Sequence, residues 1–273
     1  MRHIKTLACG LLLAATASCE KVLDFKYNSV EPVPVIEGCI DDAGARVSLT
    51  MATPMGEPMD KDRHTDADIT VADLCDGSLS SLTADADGYF TASLPAVPGH
   101  TYRLTVDFRG TEYSAECFMT AAPEITSMEF SWIHMPYDEV AVLKLTFDGG
   151  DGANAGNYYW IRLYRNGEPY RWSICTGAAA ENGLISEIFM TTRKTIEDED
   201  EDDLLVDGDI VRACVVEINR DMYDYLTALT SGGSNGPAMF SGGTCAGYFM
   251  AAAPAEASVV FHPDSITYYT PAS

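Results

Sequence analysis

The sequence is poor in basic residues and has no apolar run long enough to cross a membrane. Its 17 lysines and arginines stand against 41 acidic residues, a formal net charge of −24. A nucleic-acid-binding protein needs a basic surface to displace phosphate counterions, so this class is excluded. The charge also argues against electrostatic docking on an anionic membrane. A spanning helix needs about 20 apolar residues, and the run at residues 7–17 is roughly half that length.

Histidine is also scarce, and the usual metal and catalytic spacings are missing. No His-x-x-x-His or Cys-x-x-Cys pair occurs, so a zinc site would have to be assembled from distant segments. The stretch GGSNG at residues 232–236 matches G-x-S-x-G, but it follows a predicted helix and runs into Pro237. The serine-hydrolase motif needs a turn from strand into helix, so a glycine-rich loop is favoured. We therefore predict no enzymatic activity and no cofactor. The histidines beyond the first 18 residues are His64, His100, His134 and His262.

The N-terminus has the order of a secretory signal. Arg2 and Lys5 precede the apolar run, and small residues then lead to Cys19. Small residues directly before a cysteine resemble the bacterial lipobox, although Thr16 stands where a large aliphatic residue is usual. We predict a signal peptide at residues 1–18 and lipid attachment at Cys19; a plain signal peptide cut nearby and an uncleaved hydrophobic segment are the alternatives. The mature chain would carry 15 basic and 41 acidic residues, and acyl chains would hold it to the lipid bilayer.

Six of the eight cysteines remain once Cys9 in the signal and the lipidated Cys19 are set aside. In an exported protein they could form up to three disulfides. Several lie in apolar strand patterns, where a buried thiol is equally natural. Both interpretations stay open. The six are Cys39, Cys75, Cys117, Cys175, Cys214 and Cys245.

The rest of the chain is predicted to be mainly β. Residues 19–32 form a tether that reaches about 45 Å when extended. Seven short alternating segments over residues 33–120 predict an Ig-like β-sandwich. A hinge at 121–123 leads into a second β-rich domain, residues 124–273, with a hairpin around Asn166 and Gly167. One short helix is predicted to begin at Asn219 or Asp221 and to end before Gly232, with Met222, Tyr225, Leu226 and Leu229 at helical spacing.

Several segments resemble a known family, the Bacteroidota-type outer-membrane lipoproteins with domain of unknown function 4249. The matching pieces occur in similar order: SCEKVLDF, VPVIEGCI, ADITVADL, DGYF, VPGHTYRLTV, GNYYWIRLYRNGE and SGGTCAGYFMA. The resemblance implies an N-terminal transthyretin-like or carboxypeptidase-regulatory-like sandwich, and an accessory role beside TonB-dependent receptors. It transfers no functional residue. Its pattern residues have structural roles in turns and core: Asp87, Gly88, Tyr89, Pro98, Gly99, Thr101 and Tyr102.

The hairpin sequence NYYWIRLYRNGEPYRW presents two alternating faces. One face, Tyr159, Ile161, Leu163 and Arg165, is predicted to line the core. The other is either a stacking platform for a ligand or a surface that packs on the other domain. It consists of Tyr158, Trp160, Arg162 and Tyr164.

The run EDEDEDD at residues 197–203 is the sharpest charge feature. Calcium takes six to eight oxygen ligands from a defined loop, whereas a run of like charges in solution is a self-repelling loop. We keep both interpretations, a solvated loop and a weak divalent-cation site. The site would use Glu197, Asp198, Glu199, Asp200, Asp207 and Asp209.

Together these features predict a non-catalytic lipoprotein of the outer membrane, on its periplasmic or cell-surface face. We expect it to be an accessory or binding component of a TonB-dependent nutrient-uptake system, with a small-molecule ligand of unknown identity. The alternatives are a structural or adhesive cell-surface subunit and a secreted hydrolase.

Overall fold

Two facing sheets form the first half of the described chain. The computed structural model describes residues 32–52, 62–136, 139–149, 156–192, 204–231 and 236–269. One sheet consists of β1 (Pro34–Asp41), β2 (Gly44–Met51), β5 (Thr83–Ala84), β6 (Phe90–Ala92) and β15 (Ala246–Ala251). The other consists of β3 (Ala67–Asp73), β4 (Leu79–Ser81), β7 (Thr101–Phe108) and β8 (Thr111–Phe118). Their strand orders are β15-β1-β2-β6-β5 and β4-β3-β7-β8.

Alternating residues of both sheets fill the core between them. Ile36 and Ile40 of β1 and Leu104 of β7 are fully buried, because successive side chains of a strand point to opposite faces. Burial of each such side chain stabilises the fold by about 1.5–3 kcal/mol. The N-terminal β-sandwich predicted from the alternation is confirmed.

One predicted strand, SLSSLTA, is divided in the structure. β4 pairs with β3 in one sheet, whereas β5 pairs with β6 in the other. Between them Leu82 is 6 % exposed, and its N–H donates to the Ile69 carbonyl at 2.9 Å. The chain changes sheets at Leu82 because its apolar side chain turns into the core.

The second half of the chain also forms two sheets around a core. Their strands are β9 (Ile125–His134), β10 (Glu139–Asp148), β11 (Tyr158–Arg165), β12 (Glu168–Thr176), β13 (Leu184–Thr192), β14 (Ile210–Ile218) and β16 (Ala255–Val260). The strand orders are β13-β10-β9 and β12-β11-β14-β16. Tyr159, Ile161 and Leu163 of β11 are buried between the two sheets, as their alternation predicts.

The turn between β11 and β12 confirms the predicted hairpin. Asn166 and Gly167 have φ angles of 53° and 95°, and β11 pairs antiparallel with β12. Two successive positive φ values are typical of the two-residue turn whose twist matches that of the flanking strands.

One α-helix, α1 (Arg220–Ser231), occurs within the described residues. Asn219 is its N-cap, because the Asn219 Oδ1 accepts the Met222 N–H at 2.8 Å. Leu229, predicted to lie on the buried face of the helix, is 53 % exposed, whereas Ala228 is buried. At this end of the helix the buried face therefore includes Ala228 and not Leu229. The helix is too short and too polar to span a bilayer, and none of the described helices could do so.

Strand β15 joins the two halves of the chain. It lies within residues 124–273, yet it pairs in parallel with β1, with Ile36 opposite Gly247. At Gly247 the φ angle is +108°, and an added Cβ would lie 1.9 Å from the Ile36 carbonyl oxygen. Only glycine fits such a close approach of two strands. All described residues accordingly belong to one compact unit.

A third apolar cluster, besides the cores of the two sandwiches, covers the outer faces of β11 and β14. It includes Met222 and Leu226 of α1 and Met250 of β15. The sheet β12-β11-β14-β16 is therefore packed on both faces, by its own sandwich on one side and by α1 and β15 on the other.

Candidate functional site

A groove of about 1080 Å³ runs over the outer face of the five-stranded sheet. Its floor follows from the strand alternation: in β1, Ile36 and Ile40 face the core, so Glu37, Cys39 and Asp41 face outward. β2 adds Arg46 and Ser48, β6 adds Thr91, and the segments around β4 and β5 add Ser80, Ser81 and Thr83. The groove is thus lined by hydroxyl, carboxylate and guanidinium groups above an apolar core.

Arg162 enters this groove from β11, a strand of the other sandwich. Its Nη2 donates to the Cys214 Sγ at 3.3 Å, and its guanidinium carbon lies 4.5 Å from the Trp160 ring centroid. The buried Nε of Arg162 has no hydrogen-bond acceptor among the described residues. The same is true of the buried Trp160 Nε1.

The thiols beside Arg162 do not neutralise it. Burial is the main reason that the pKa of Cys39 is raised to about 12, and burial also raises the pKa of Cys214. Both groups are therefore neutral thiols near pH 7. Because an arginine keeps its proton at that pH, a half-buried positive charge remains uncompensated.

A second guanidinium lies on the floor of the groove. The Arg46 guanidinium carbon is 3.5 Å from the Tyr89 ring centroid, and that of Arg63, beside the groove, is 3.8 Å away. Arg63 also donates to the Tyr89 hydroxyl, and to the Asp87 carbonyl at 3.1 Å. Tyr89 is held in turn by the Asp85 carboxylate, which accepts its backbone N–H at 2.9 Å. These contacts orient the two guanidiniums by cation–π attraction without cancelling their charge.

Acceptors lie on the same floor. The Glu37 carboxylate accepts the Ser48 hydroxyl at 3.1 Å. The half-buried Tyr248 of β15 lines the groove near Arg162, and burial raises the pKa of its phenol. The groove therefore offers both hydrogen-bond acceptors and fixed positive charge to a polar molecule.

Arginines elsewhere in the described chain are mostly paired with carboxylates, unlike Arg46, Arg63 and Arg162. No ion pair joins these three to a described carboxylate. Five described arginines thus have no described carboxylate partner in a chain with 41 acidic residues, and three of these five lie in the groove or at its margin. The paired arginines and their partners are Arg103–Glu116, Arg165–Asp209, Arg212–Glu256 and Arg220–Asp224.

A family-wide sequence pattern described as "Domain of unknown function (DUF4249)" matches residues 20–243. This chain belongs to that family. No curated protein matches the sequence of this DUF4249 member.

Solved structures that align with this chain include a "Cytokine receptor complex - Crystal form 1A", at 11 % identity and a TM-score of 0.23. The alignment covers 82 % of the DUF4249 chain and 95 % of the other. A two-domain fibronectin type-III segment of chicken tenascin aligns at 12 % identity and a TM-score of 0.24, covering 84 % and 99 %.

Of the four outward residues of the DUF4249 hairpin, Arg162 alone lines the groove. Tyr158, Trp160 and Tyr164 pack against the apolar cluster formed with α1 and β15. Tyr158 lies 4.7 Å from the Tyr223 ring, and Trp160 lies edge-on to Tyr248 at 6.3 Å. The sequence left two alternatives for these three aromatic residues, packing or contact with a ligand. In the structure they pack, and contact with a ligand stays a prediction.

The acidic candidates are divided by the structure. Asp209 is 5 % exposed; its Oδ1 accepts from Asn166 at 2.7 Å, and its Oδ2 accepts the Val206 N–H at 2.8 Å and lies 2.7 Å from Arg165. Burial opposes ionisation, but these donors outweigh it and lower the pKa of Asp209. Asp207 is exposed and lies 2.8 Å from the His262 Nδ1. Asp209 has internal partners on both oxygens, so a cation there would have to displace Arg165.

Several predicted features lie outside the described residues. They are the signal peptide, Cys19 and the tether, Glu197 to Asp200 of the acidic run, and residues 232–235 of GGSNG. The cation site therefore stays a prediction. The remaining six cysteines are all described, and all are free thiols; Cys75 is the exposed one.

Sequence reasoning missed most of the groove. Arg46 and Glu37 were not singled out, since an outward polar residue on a strand is the ordinary case. The family resemblance assigned Tyr89 a structural role in a turn or the core. In the structure Tyr89 is half-buried and lines the groove. The sequence offered one signal, the scarcity of arginines in an acidic chain; the contacts of Arg46 and Arg63 with the Tyr89 ring are visible only in the structure.

Proposed function

We propose that this chain is a non-catalytic outer-membrane lipoprotein that uses the groove over β1 and β2 to bind an anionic, hydroxylated ligand. Acylation of Cys19 would anchor it, and it would act as an accessory component of a TonB-dependent nutrient-uptake system. The observation that carries the binding role is the pair of guanidiniums in the groove, Arg46 and Arg162, with no described carboxylate partner.

An uncompensated buried charge is costly, and this cost favours a ligand with a negative group. Arg162 is half-buried and its Nε lacks an acceptor among the described residues. A ligand carboxylate or phosphate would accept charge-assisted hydrogen bonds from the part of the Arg162 guanidinium that lines the groove. Arg46, already oriented by Tyr89, would hold the same or a second anionic oxygen. An entering anion thus gains an interaction with the guanidinium and does not have to displace a carboxylate that is already paired with it.

The remaining lining favours a small polar molecule with hydroxyl groups. Glu37 can accept hydrogen bonds from ligand hydroxyls, and Ser80, Ser81 and Thr83 can donate or accept at the far end. Acidic sugars combine a carboxylate with several hydroxyls, so they fit this set of groups.

The anchor and the partner come from the sequence. Acyl chains on Cys19 would add about 0.8 kcal/mol for each buried methylene, and a tether of about 45 Å would let the groove reach a neighbouring receptor. The accessory role beside a TonB-dependent receptor is what the family resemblance implies.

The binding proposal is tested with glucuronate, and with glucose as its neutral match. Isothermal titration of the wild-type chain should show glucuronate bound at least tenfold more tightly, which corresponds to about 1.4 kcal/mol. Arg162→Met, which keeps an apolar stem in place, should remove that preference. Arg103→Met is the matched control, because Arg103 pairs with Glu116 outside the groove. Equal affinities for both sugars, or an equal effect of the two variants, would contradict the proposal.

The anchor and the partner are tested in gently solubilised outer membranes. Palmitate label should be present on the wild-type chain and absent from Cys19→Ala. A TonB-dependent receptor should co-purify with the tagged protein. Label retained in Cys19→Ala would rule out this anchor, and recovery of self-polymers alone would favour the structural or adhesive alternative.

A further inference from the structure

Three different metal-ligand atoms lie close together at Asp73, Cys75 and His100. None of these residues lines the groove described above. A carboxylate oxygen, a thiol sulfur and an imidazole nitrogen lie within 4.8 Å of one another. No other cluster of this kind occurs within the described parts of the chain. We propose that these three residues bind a divalent transition-metal ion of the zinc class.

Backbone pairing fixes the positions of the ligand residues. Asp73 is the last residue of β3, and its register partner in β7 is Tyr102, two residues after His100. The Leu74 N–H donates to the Thr101 carbonyl at 2.8 Å, which extends the pairing beyond the strand end. The Met119 N–H donates to the His100 carbonyl at 2.8 Å. His100 is thus held on neighbouring backbone while its ring faces Asp73.

The turn after β3 brings the thiol to the same place. The Asp73 Oδ1 accepts the Cys75 N–H at 2.8 Å, and the Asp73 Oδ2 lies 2.7 Å from the His100 Nδ1. Asp73 is 6 % exposed, whereas Cys75 is exposed and His100 is half-buried. One ligand is therefore buried, and two lie on an open side that a metal ion can enter from solvent.

The chemistry of the three atoms selects the ion. Calcium and magnesium take oxygen ligands only. Zinc accepts sulfur, imidazole nitrogen and carboxylate oxygen in tetrahedral sites, with three protein ligands and a water in open ones. Tetrahedral ligation at about 2.0–2.3 Å from the metal places the ligand atoms roughly 3.3–3.8 Å apart. The thiol, which lies on an exposed turn within 4.8 Å of the other two atoms, must move closer, and the Asp73–His100 pair at 2.7 Å must open slightly.

Proton balance makes the binding dependent on pH. The incoming ion takes the thiolate of Cys75, whose proton is released to solvent, and binds the Nδ1 of a neutral His100 imidazole, whose ring proton is then on Nε2. Metal binding through deprotonated ligands weakens as the pH falls. If the three residues formed only a turn with an Asp–His contact, the Cys75 thiol would not bind the metal ion. Replacing Cys75 would then have no effect on any signal from bound metal.

Cobalt(II) is the probe for the test, because a bound thiolate gives it a near-ultraviolet charge-transfer band that carboxylates do not produce. Titration of the full lipoprotein in detergent, kept reduced with a non-chelating phosphine, should give this band with one equivalent of cobalt. One equivalent of zinc should remove it. The proposal would be overturned if the band appeared only with a large excess of cobalt, or if no band appeared.

Two variants assign the ligands. Cys75→Ser should abolish the band, and His100→Gln should weaken cobalt binding by at least about tenfold. The matched control Cys245→Ser removes a half-buried thiol outside the cluster and should leave the band unchanged. A band that persists in Cys75→Ser would overturn the assignment. Since Cys75 is exposed, this variant is expected to fold, and circular dichroism checks that it does.

Discussion

Replacing Gly247 with alanine should weaken the junction between β15 and β1. The added Cβ would lie 1.9 Å from the Ile36 carbonyl oxygen and 2.6 Å from its carbon, both of them backbone atoms that cannot rotate away. The φ angle of +108° adds strain for any residue with a side chain, at about 1–3 kcal/mol. Overpacking against a rigid neighbour costs about 1–3 kcal/mol more. The free energy of unfolding should therefore fall by about 2–6 kcal/mol.

Gly110→Ala is the control that separates strain from steric conflict. Gly110 has a φ of +77°, but an added Cβ there meets nothing within 4 Å. This variant should lose only the conformational part, about 1–2 kcal/mol. Urea unfolding followed by tryptophan fluorescence compares the two variants with the wild type. Equal losses would refute the reasoning, because the contact with Ile36 would then contribute nothing to the stability.

Two further predictions concern stability. The lowered pKa of Asp209 means that its stabilising effect is fully present above its unfolded pKa of about 3.9 and is lost as the pH falls through the lower folded value. The urea midpoints of wild type and Asp209→Asn should therefore differ by a constant amount above about pH 4 and begin to converge below it, and a gap that stays constant on further acidification would contradict this. Loss of the α1 cap in Asn219→Ala should lower the free energy of unfolding by about 1 kcal/mol, measured by urea unfolding, whereas Asn219→Asp should retain it.

Local patterns were enough to predict most of the strands. The period of two in β11 placed Tyr159, Ile161 and Leu163 in the core, because the alternation needs no knowledge of distant segments. The same rule failed at Leu82, where the chain leaves one sheet for another in the middle of an alternating run. The pairing of β15 with β1 has no local signal either, since it depends on which edge is free after both sandwiches have formed.

The candidate groove was only partly predictable for the same reason. The sequence marked Arg162 as an outward residue of β11, but its place depends on how β11 lies against the five-stranded sheet. Its neighbours Trp160 and Tyr158 face the same way and end in apolar packing. Cys75 and His100 were separate in the sequence, and the pairing of β3 with β7 brings them together.

The parallel pairing of β15 with β1 also sets the order in which the protein can fold. The strand at residues 246–251 supplies the edge of the sheet that contains β1, so this sheet stays incomplete until those residues are available to pair. Such distant pairing slows folding, because the long loop must close before the contact stabilises it. In the interval the exposed edge of β1 can pair with another chain. Molecules in which β15 has not yet paired should therefore be the ones most prone to associate through this edge.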